Sequence, residues 1–380
     1  MTGRGDSIAP FYVMEVMKAV AQREAGGKDV MHMEVGEPGT GAPRQVIAAA
    51  HTALDGKVSY TDALGIPPLR ARIAQHYRAT YDLDIAVERI IVTTGSSAGF
   101  VLSFLAAFED DAAIGSVEPG YPAYRNTASA LGFTPVSIPT TAATRFQPTP
   151  ALLDASPDLD GLVIASPANP TGTMLDRPAL QAVVDWSAAH HVRLISDEIY
   201  HGITFGDPAV TVAALTDDAI IINSFSKYFS MTGWRIGWMV VPPELVSAVE
   251  RLAQNLYISA PGLSQYAALA AFDATKELDE KVAGYRRNRD LLLRELPKAG
   301  FDKIAPVDGA FYMFADVSGL TDNAQEFCQK MLVEAGVATT PGIDFDPARG
   351  SQFLRFSIAG DFVTMEEAAR RLRIWRADRR

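Results

Sequence analysis

A single cysteine, Cys328, in 380 residues leaves this chain no disulfide framework and no cysteine-based metal site. Six histidines (His32, His51, His76, His190, His191, His201) contain no HExxH and no pair at i and i+4, so no metal centre is expected. Positive charge is also short. Lys and Arg total 34 against 45 Asp and Glu, a net charge of −11, with no block of five like charges and no basic face for nucleic acid. No apolar run approaches the roughly 18 residues of a membrane span. The opening "MTGRGDSIAPFYVM" lacks the apolar centre of a signal peptide, so a soluble, cytoplasmic protein is expected. Its Arg4-Gly5-Asp6 tripeptide reads as coincidence in a terminus. There is no low-complexity segment and no internal repeat.

What is present is ample core: 48% of residues are hydrophobic, and the length suits two domains or one large domain with a satellite. Short apolar runs alternate with helix-like segments. The runs are "RIIVTT" (89–94), "GLVIAS" (161–166), "VRLISD" (192–197), "AIIINS" (219–224) and "RIGWMVV" (235–241). Strands so continuously apolar are buried on both faces, as in a parallel sheet covered by helices. The expected fold is therefore α/β. A large domain over 46–275 carries the mostly parallel sheet; a small α+β domain combines 1–45 with 276–380. The small domain's pattern is a long helix over about 276–299 and two strands, "GAFYMFADV" (309–317) and "FLRFSIAG" (353–360). These flank a helix on whose apolar stripe Cys328 is expected to pack.

In such sheets ligands gather at the carboxyl ends of the strands, and here each end is followed by specific polar residues. "GSSAG" opens a helix whose free N–H groups suit a phosphate; "PANPTG" presents Asn169; "VRLISD" ends at Asp197, followed by Glu198 and Tyr200; "AIIINS" ends at Ser224, three residues before Lys227. Each alone has an ordinary reading: a helix start, a turn, a helix cap, an ion pair for Arg235, a surface lysine with its stem on aromatics. Together they point to carbonyl capture by an amine. A lysine desolvated by Phe225, Tyr228 and Phe229, with Arg235 close by, has a lowered pKa and forms Schiff bases. An aldehyde cofactor with a phosphate, a basic ring nitrogen and a ring hydroxyl, as pyridoxal phosphate has, matches the other groups.

The succession "VGEPGTGAP", "YTDALGIPPLR", "TTGSSAG", "EPGYPAY", "SPANPTG", "SDEIYHG", "SFSKYFSMTGWRIGW", "GAFYMF" and "LRFSIAG" resembles the class I/II aminotransferases of the fold-type-I pyridoxal-phosphate superfamily over nearly the whole chain. "NPTG", "DEIY" and "SKxFSMTGWRIG" in that order carry most of the specificity. The resemblance implies that pyridoxal 5'-phosphate is bound covalently to Lys227, which also shuttles the substrate proton. It implies that Asp197 holds the ring nitrogen protonated, that Asn169 and Tyr200 bond the ring oxygen, and that Tyr121 stacks on the ring. Ser96, Ser97, Ser224, Ser226 and Arg235 are implied as phosphate ligands, and Arg355 as the clamp on the substrate carboxylate beneath Gly36. Tyr60 is implied to reach the site of a neighbouring subunit in a homodimer. The implied activity is ping-pong amino-group transfer between an L-amino acid and a 2-oxo acid. A lyase of the same fold is the rival, and a ligand-sensing module is disfavoured. Aspartate specialists can place a lysine in a "TxGxK" phosphate loop; here that position reads as Ser97, and the N-terminal segment offers Phe11 and Tyr12. An aromatic or aliphatic donor is therefore expected ahead of aspartate.

Overall fold

The computed structural model describes Gly5 and residues 8–377; Arg4 and Asp6 lie outside the described residues. After helix α1 (Tyr12–Ala25), strand β1 (Met31–His32), helix α2 (Arg44–Leu54) and helix α3 (Pro67–Tyr81), a seven-stranded sheet begins. Its strands are β2 (Ile90–Thr93), β3 (Ala113–Glu118), β4 (Thr134–Pro139), β5 (Gly161–Ala165), β6 (Arg193–Asp197), β7 (Ile220–Ser224) and β8 (Gly237–Val240), in the order β2-β8-β7-β6-β5-β3-β4. Helices α4 (Gly95–Ala107) and α5 (Ala123–Leu131) belong to one covering layer. The run of isoleucines in β7 shows why the apolar strands do not alternate with polar residues. Ile220 and Ile222 pack with Phe100, Phe104 and Val249 on one face. Ile221 packs with Leu180, Val183 and Trp238 on the other. Both faces are core, as the sequence pattern required.

Strand β8 departs from the parallel arrangement: it runs antiparallel to both β2 and β7. The connection explains it: it is short and holds no helix. Only residues 225–236 separate it from β7, with one 3-10 turn at Thr232–Trp234. These twelve residues are at the lower limit for a parallel crossover and hold no α-helix to span the sheet, whereas an antiparallel return closes through a loop of this kind. Lys227, just after β7, and Arg235, just before β8, therefore lie at the same end of these two strands.

Two strands escape the apolar-run criterion. β3 carries Gly115, Ser116 and Glu118 in its six residues, and β4 carries Pro135 and Pro139 with mostly exposed side chains. β4 closes the edge of the sheet, where proline's missing N–H costs no ladder bond.

The second sheet has the order β12-β13-β10-β9, built from β9 (Lys303–Ile304), β10 (Tyr312–Asp316), β12 (Thr340–Pro341) and β13 (Phe353–Ser357). Strand β1 pairs in parallel with β11 (Val337–Ala338), which ties the amino-terminal segment to this part of the chain. The long helix expected over 276–299 is Thr275–Glu295 followed by a 3-10 turn, Leu296–Ala299. Cys328 is buried in the surrounding core with its thiol pushed up to about 12 by burial. Among the described residues no helix is long and apolar enough to cross a membrane.

Candidate active site

A cavity of about 360 Å3 opens where the carboxyl ends of the large sheet meet the small one. Its lining includes Gly36, Ser96, Ser97, Tyr121, Asn169, Asp197, Tyr200, Ser226, Lys227, Arg235 and Arg355. These residues span more than three hundred positions of chain, and the strand ends bring them together. A wider cleft of about 790 Å3 lies elsewhere, beside Asp160, Arg193 and Asp218, and shares none of these groups.

Lys227 Nζ donates to Gly36 O at 2.6 Å. Burial lowers its pKa to about 8, with Arg355 and then Arg235 adding repulsion, against the pull of Glu37 and Asp197. The desolvating aromatic differs from the expected ones. Phe225 and Phe229 pack against Trp238 and Phe272 in the core. Tyr228 donates its hydroxyl to Asp279 at 2.7 Å. The ring facing the Lys227 ammonium is Phe311, 6.0 Å away.

Asp197 terminates β6 with its carboxylate buried. Tyr124 OH donates to Oδ2 at 2.5 Å and Ile199 N donates to Oδ1 at 3.0 Å. Burial nonetheless raises its pKa to about 6, opposed by these two hydrogen bonds and by the nearby charge of Lys227. Its neighbour Glu198 points away, accepting from Val212 N at 2.8 Å and Ser196 Oγ at 3.2 Å.

At the start of α4, Gly95 adopts φ +69°, and a Cβ there would lie 2.4 Å from Arg235 Nη2. Only glycine lets the guanidinium sit over this turn. The cap residue Thr94 makes no side-chain hydrogen bond to the helix, so the first-turn N–H groups beside Ser96 and Ser97 have no side-chain cap. An arginine, bare amides and the Ser226 hydroxyl together form an anion cradle. Ser224 does not line it. Its Oγ lies 3.2 Å from Ile236 O, 3.0 Å from Ser226 Oγ and accepts from Ser226 N at 3.1 Å, so it shapes the loop from beneath.

Arg355, on β13, is 3% exposed. Its Nη1 donates to Asn169 Oδ1 at 2.8 Å and its Nη2 to Glu34 O at 2.9 Å, while Nε is buried without a partner. Tyr312 and Phe345 lie over the guanidinium at 4.3 and 4.8 Å. A buried, aromatic-braced guanidinium with an unused donor is suited to a carboxylate ligand. Tyr200 OH lies 2.8 Å from Tyr312 OH. At Gly36 a Cβ would stand 2.6 Å from that same Tyr312 hydroxyl, which explains the glycine. Tyr60 is 82% exposed and lies outside this cavity.

Tyr124, Tyr312, Phe345 and Asp344 were not picked out from sequence, although all four line the cavity. Tyr124 had a signal: it is the second tyrosine of "EPGYPAY", three residues after Tyr121, and the two rings meet edge to face at 5.5 Å. His201 had a weaker one in "DEIYHG". It lies 3.0 Å from Ser166 O and 2.7 Å from Tyr81 OH, joining the turn after β6 to the loop that carries Asn169.

Known proteins resemble this chain over nearly its whole length. Residues 28–372 match the family model of aminotransferase class I and II. The chain is 48% identical to the valine–pyruvate aminotransferase of Mycobacterium tuberculosis over 97% of this chain and 96% of that one. It is 30% identical to the aspartate aminotransferase of Pyrococcus horikoshii over 94% and 93%. Among solved structures, an aminotransferase from Mycobacterium tuberculosis superimposes with a TM-score of 0.97 at 47% identity, covering 100% of this chain and 99% of its own. The aspartate aminotransferase of Thermus thermophilus with maleate gives 0.91 at 30% identity, covering 98% and 100%. The chain belongs to the class I and II aminotransferases, the pyridoxal-phosphate-dependent transferases that pass an amino group between amino acids and 2-oxo acids.

Proposed function

We propose that this chain transaminates L-amino acids with apolar side chains, of the branched aliphatic class, using pyridoxal phosphate held covalently by Lys227. One observation carries the proposal: Lys227, Asp197, Asn169, Arg235 and Arg355 line one cavity whose remaining wall includes Phe11, Val13, Met14, Met17, Val35 and Ile199. The residues present fit the cofactor. The Gly95–Arg235 cradle with Ser96, Ser97 and Ser226 takes the phosphate; Asp197 supplies the anion for the ring nitrogen; Asn169 and Tyr200 take the ring oxygen; Tyr121 covers a ring face. When bound, pyridoxal phosphate supplies an aldehyde that condenses with amines and a ring that accepts the electron pair released at the substrate α-carbon.

The chain's own groups do the rest. Lys227 Nζ, with a pKa near 8, is neutral often enough at physiological pH to take the α-proton and return it. Asp197, fixed by Tyr124 and Ile199 N, keeps the ring nitrogen protonated through proximity of charge. Asn169 Oδ1 is occupied by Arg355, which leaves its amide nitrogen to donate to the ring oxygen. Arg355 holds the α-carboxylate and thereby orients the reacting carbon over Lys227.

The donor class rests on charge. Among the described residues the cations in the lining are Lys227, Arg235 and Arg355, each with a role above, and Glu37 adds a negative charge. A second substrate carboxylate would stay unpaired and desolvated, while apolar side chains gain about 25 cal/mol per Å2 buried against the wall. The similarity to a valine–pyruvate aminotransferase supports this class. Tyr60, with Val58, Leu256 and Ile258 also exposed, supports a homodimer in which Tyr60 reaches the partner's phosphate. The same proposal divides the chain into a large domain, 46–275, and a small one of 1–45 with 276–380.

The test is a panel of donors with pyruvate and 2-oxoglutarate as acceptors. Higher kcat/KM for valine and similar donors than for aspartate is expected. A clear aspartate preference would overturn the donor class, and ammonia release without an acceptor would favour a lyase.

A further inference from the structure

We propose, resting on the reading just given, that Asp344 is a positioning residue for donor selectivity, docking α1 across the cavity so that Phe11, Val13, Met14 and Met17 form its apolar wall. Helix α1 precedes the stretch matched by the family model, so membership of the family says nothing about how it is held.

A helix start leaves backbone N–H groups without partners, and an apolar cap residue cannot supply an acceptor. The cap residue of α1 is Phe11, which makes no side-chain cap bond. The acceptors come instead from 332 positions away. Asp344 Oδ1 accepts from Tyr12 N at 2.8 Å and Oδ2 from Val13 N at 2.9 Å. Asp344 is 3% exposed, so its carboxylate depends on these bonds and on the positive end of α1 for the solvation it has lost.

Asp344 is itself fixed. Arg125 Nη2 donates to its carbonyl at 2.5 Å, and the next residue, Phe345, lies 4.8 Å from the Arg355 guanidinium. One dipeptide thus braces the carboxylate-binding arginine with its ring and the side-chain wall with its carboxylate. The rest of α1 is lightly held. Val20 packs with Val30, Leu332 and Ala338, and Arg23 Nη1 donates to Val333 O at 2.9 Å. Between these ends Met14 is 61% and Met17 39% exposed. Beyond the start of the helix, Phe11 meets the edge of Tyr121 at 6.2 Å. Loss of the Asp344 bonds frees the end of α1 that forms the wall and leaves the other end anchored.

The experiment compares wild type, Asp344→Ala and Tyr12→Pro, each loaded with pyridoxal phosphate. Proline suits the first helical position, so Tyr12→Pro deletes the Tyr12 N–H donor together with a ring that does not line this cavity, and keeps Asp344 and every lining side chain. It decides the matter should Asp344→Ala fail to fold. The kcat/KM ratio of valine to alanine is measured, together with the rate of trypsin cleavage after the exposed Lys18. The expected result is a ratio lowered about tenfold in Asp344→Ala and less in Tyr12→Pro, with faster cleavage at Lys18 and an unchanged cofactor absorbance. An unchanged ratio, or equal losses for both donors with unchanged cleavage, would overturn the proposal. If wild type transaminates neither donor, the aminotransferase reading of donor class fails, and the trypsin comparison still decides whether Asp344 docks α1.

Discussion

The two sides of the cavity are built by different rules. On the large-sheet side the groups sit within a few residues of a strand end: Ser96 after β2, Asn169 after β5, Asp197 at the end of β6, Lys227 after β7 and Arg235 just before β8. On the other side the wall is assembled from parts that share no local sequence. Asp344 meets Tyr12 across 332 positions, and Arg355 meets Glu34 O across 321. In the proposed reading the first side carries groups for bond-making and proton transfer, and the second the carboxylate clamp and the apolar wall. Chemistry tied to strand ends survives changes of substrate, whereas a wall held by a few long-range hydrogen bonds is the part that can be altered without disturbing it.

The sharpest way to break this contrast is at Lys227. Lys227→Ala should abolish multiple-turnover transamination, a loss of a thousandfold or more by analogy with other nucleophile deletions, for every donor alike. Retained turnover would remove Lys227 from the chemical side. Asp197→Ala should cost at least about a hundredfold in kcat, again regardless of donor, because a preorganised counter-charge is lost. A loss below about tenfold would mean that another carboxylate serves the ring nitrogen.

Smaller effects probe the recognition side. Arg355→Lys keeps the charge and loses the planar fork, so KM should rise roughly tenfold for amino acids and oxo acids together. An effect confined to one donor class would show that Arg355 reads side chains. The mildest lever is pH. Lys227 must be neutral to capture an aldehyde, and its pKa is lowered to about 8. The rate at which cofactor-free protein captures pyridoxal phosphate should therefore rise about tenfold per unit below pH 8 and level off above it. A plateau reached only near pH 10 would mean that burial and Arg355 do not act on this amine.

The same contrast explains how much could be read in advance. Asp197, Asn169, Lys227 and Arg235 were legible because motif and strand end coincide within one short segment. So were β5, β6 and β7, whose apolar runs are covered on both faces. The direction of β8 was hidden because an apolar run does not encode orientation; only the short 225–236 connection does. β3 and β4 were hidden by Gly115, Glu118 and two prolines, residues that fit an edge or a site more than a core strand. Sequence could not tell that Ser226 lines the cavity while Ser224 lies behind it, accepting from the Ser226 N–H. Asp344 had no local signal at all, because its role exists only through Tyr12 and Val13.

The central claim, that Lys227 is the amine on which the chemistry is built, is tested most directly by trapping. Protein loaded with pyridoxal phosphate is reduced with borohydride, digested and searched for the pyridoxyl-modified peptide. The account predicts the modification on Lys227, within "SFSKYFSMTGWR", and its disappearance when valine is added before reduction. Modification of any other lysine, or of none, would contradict it.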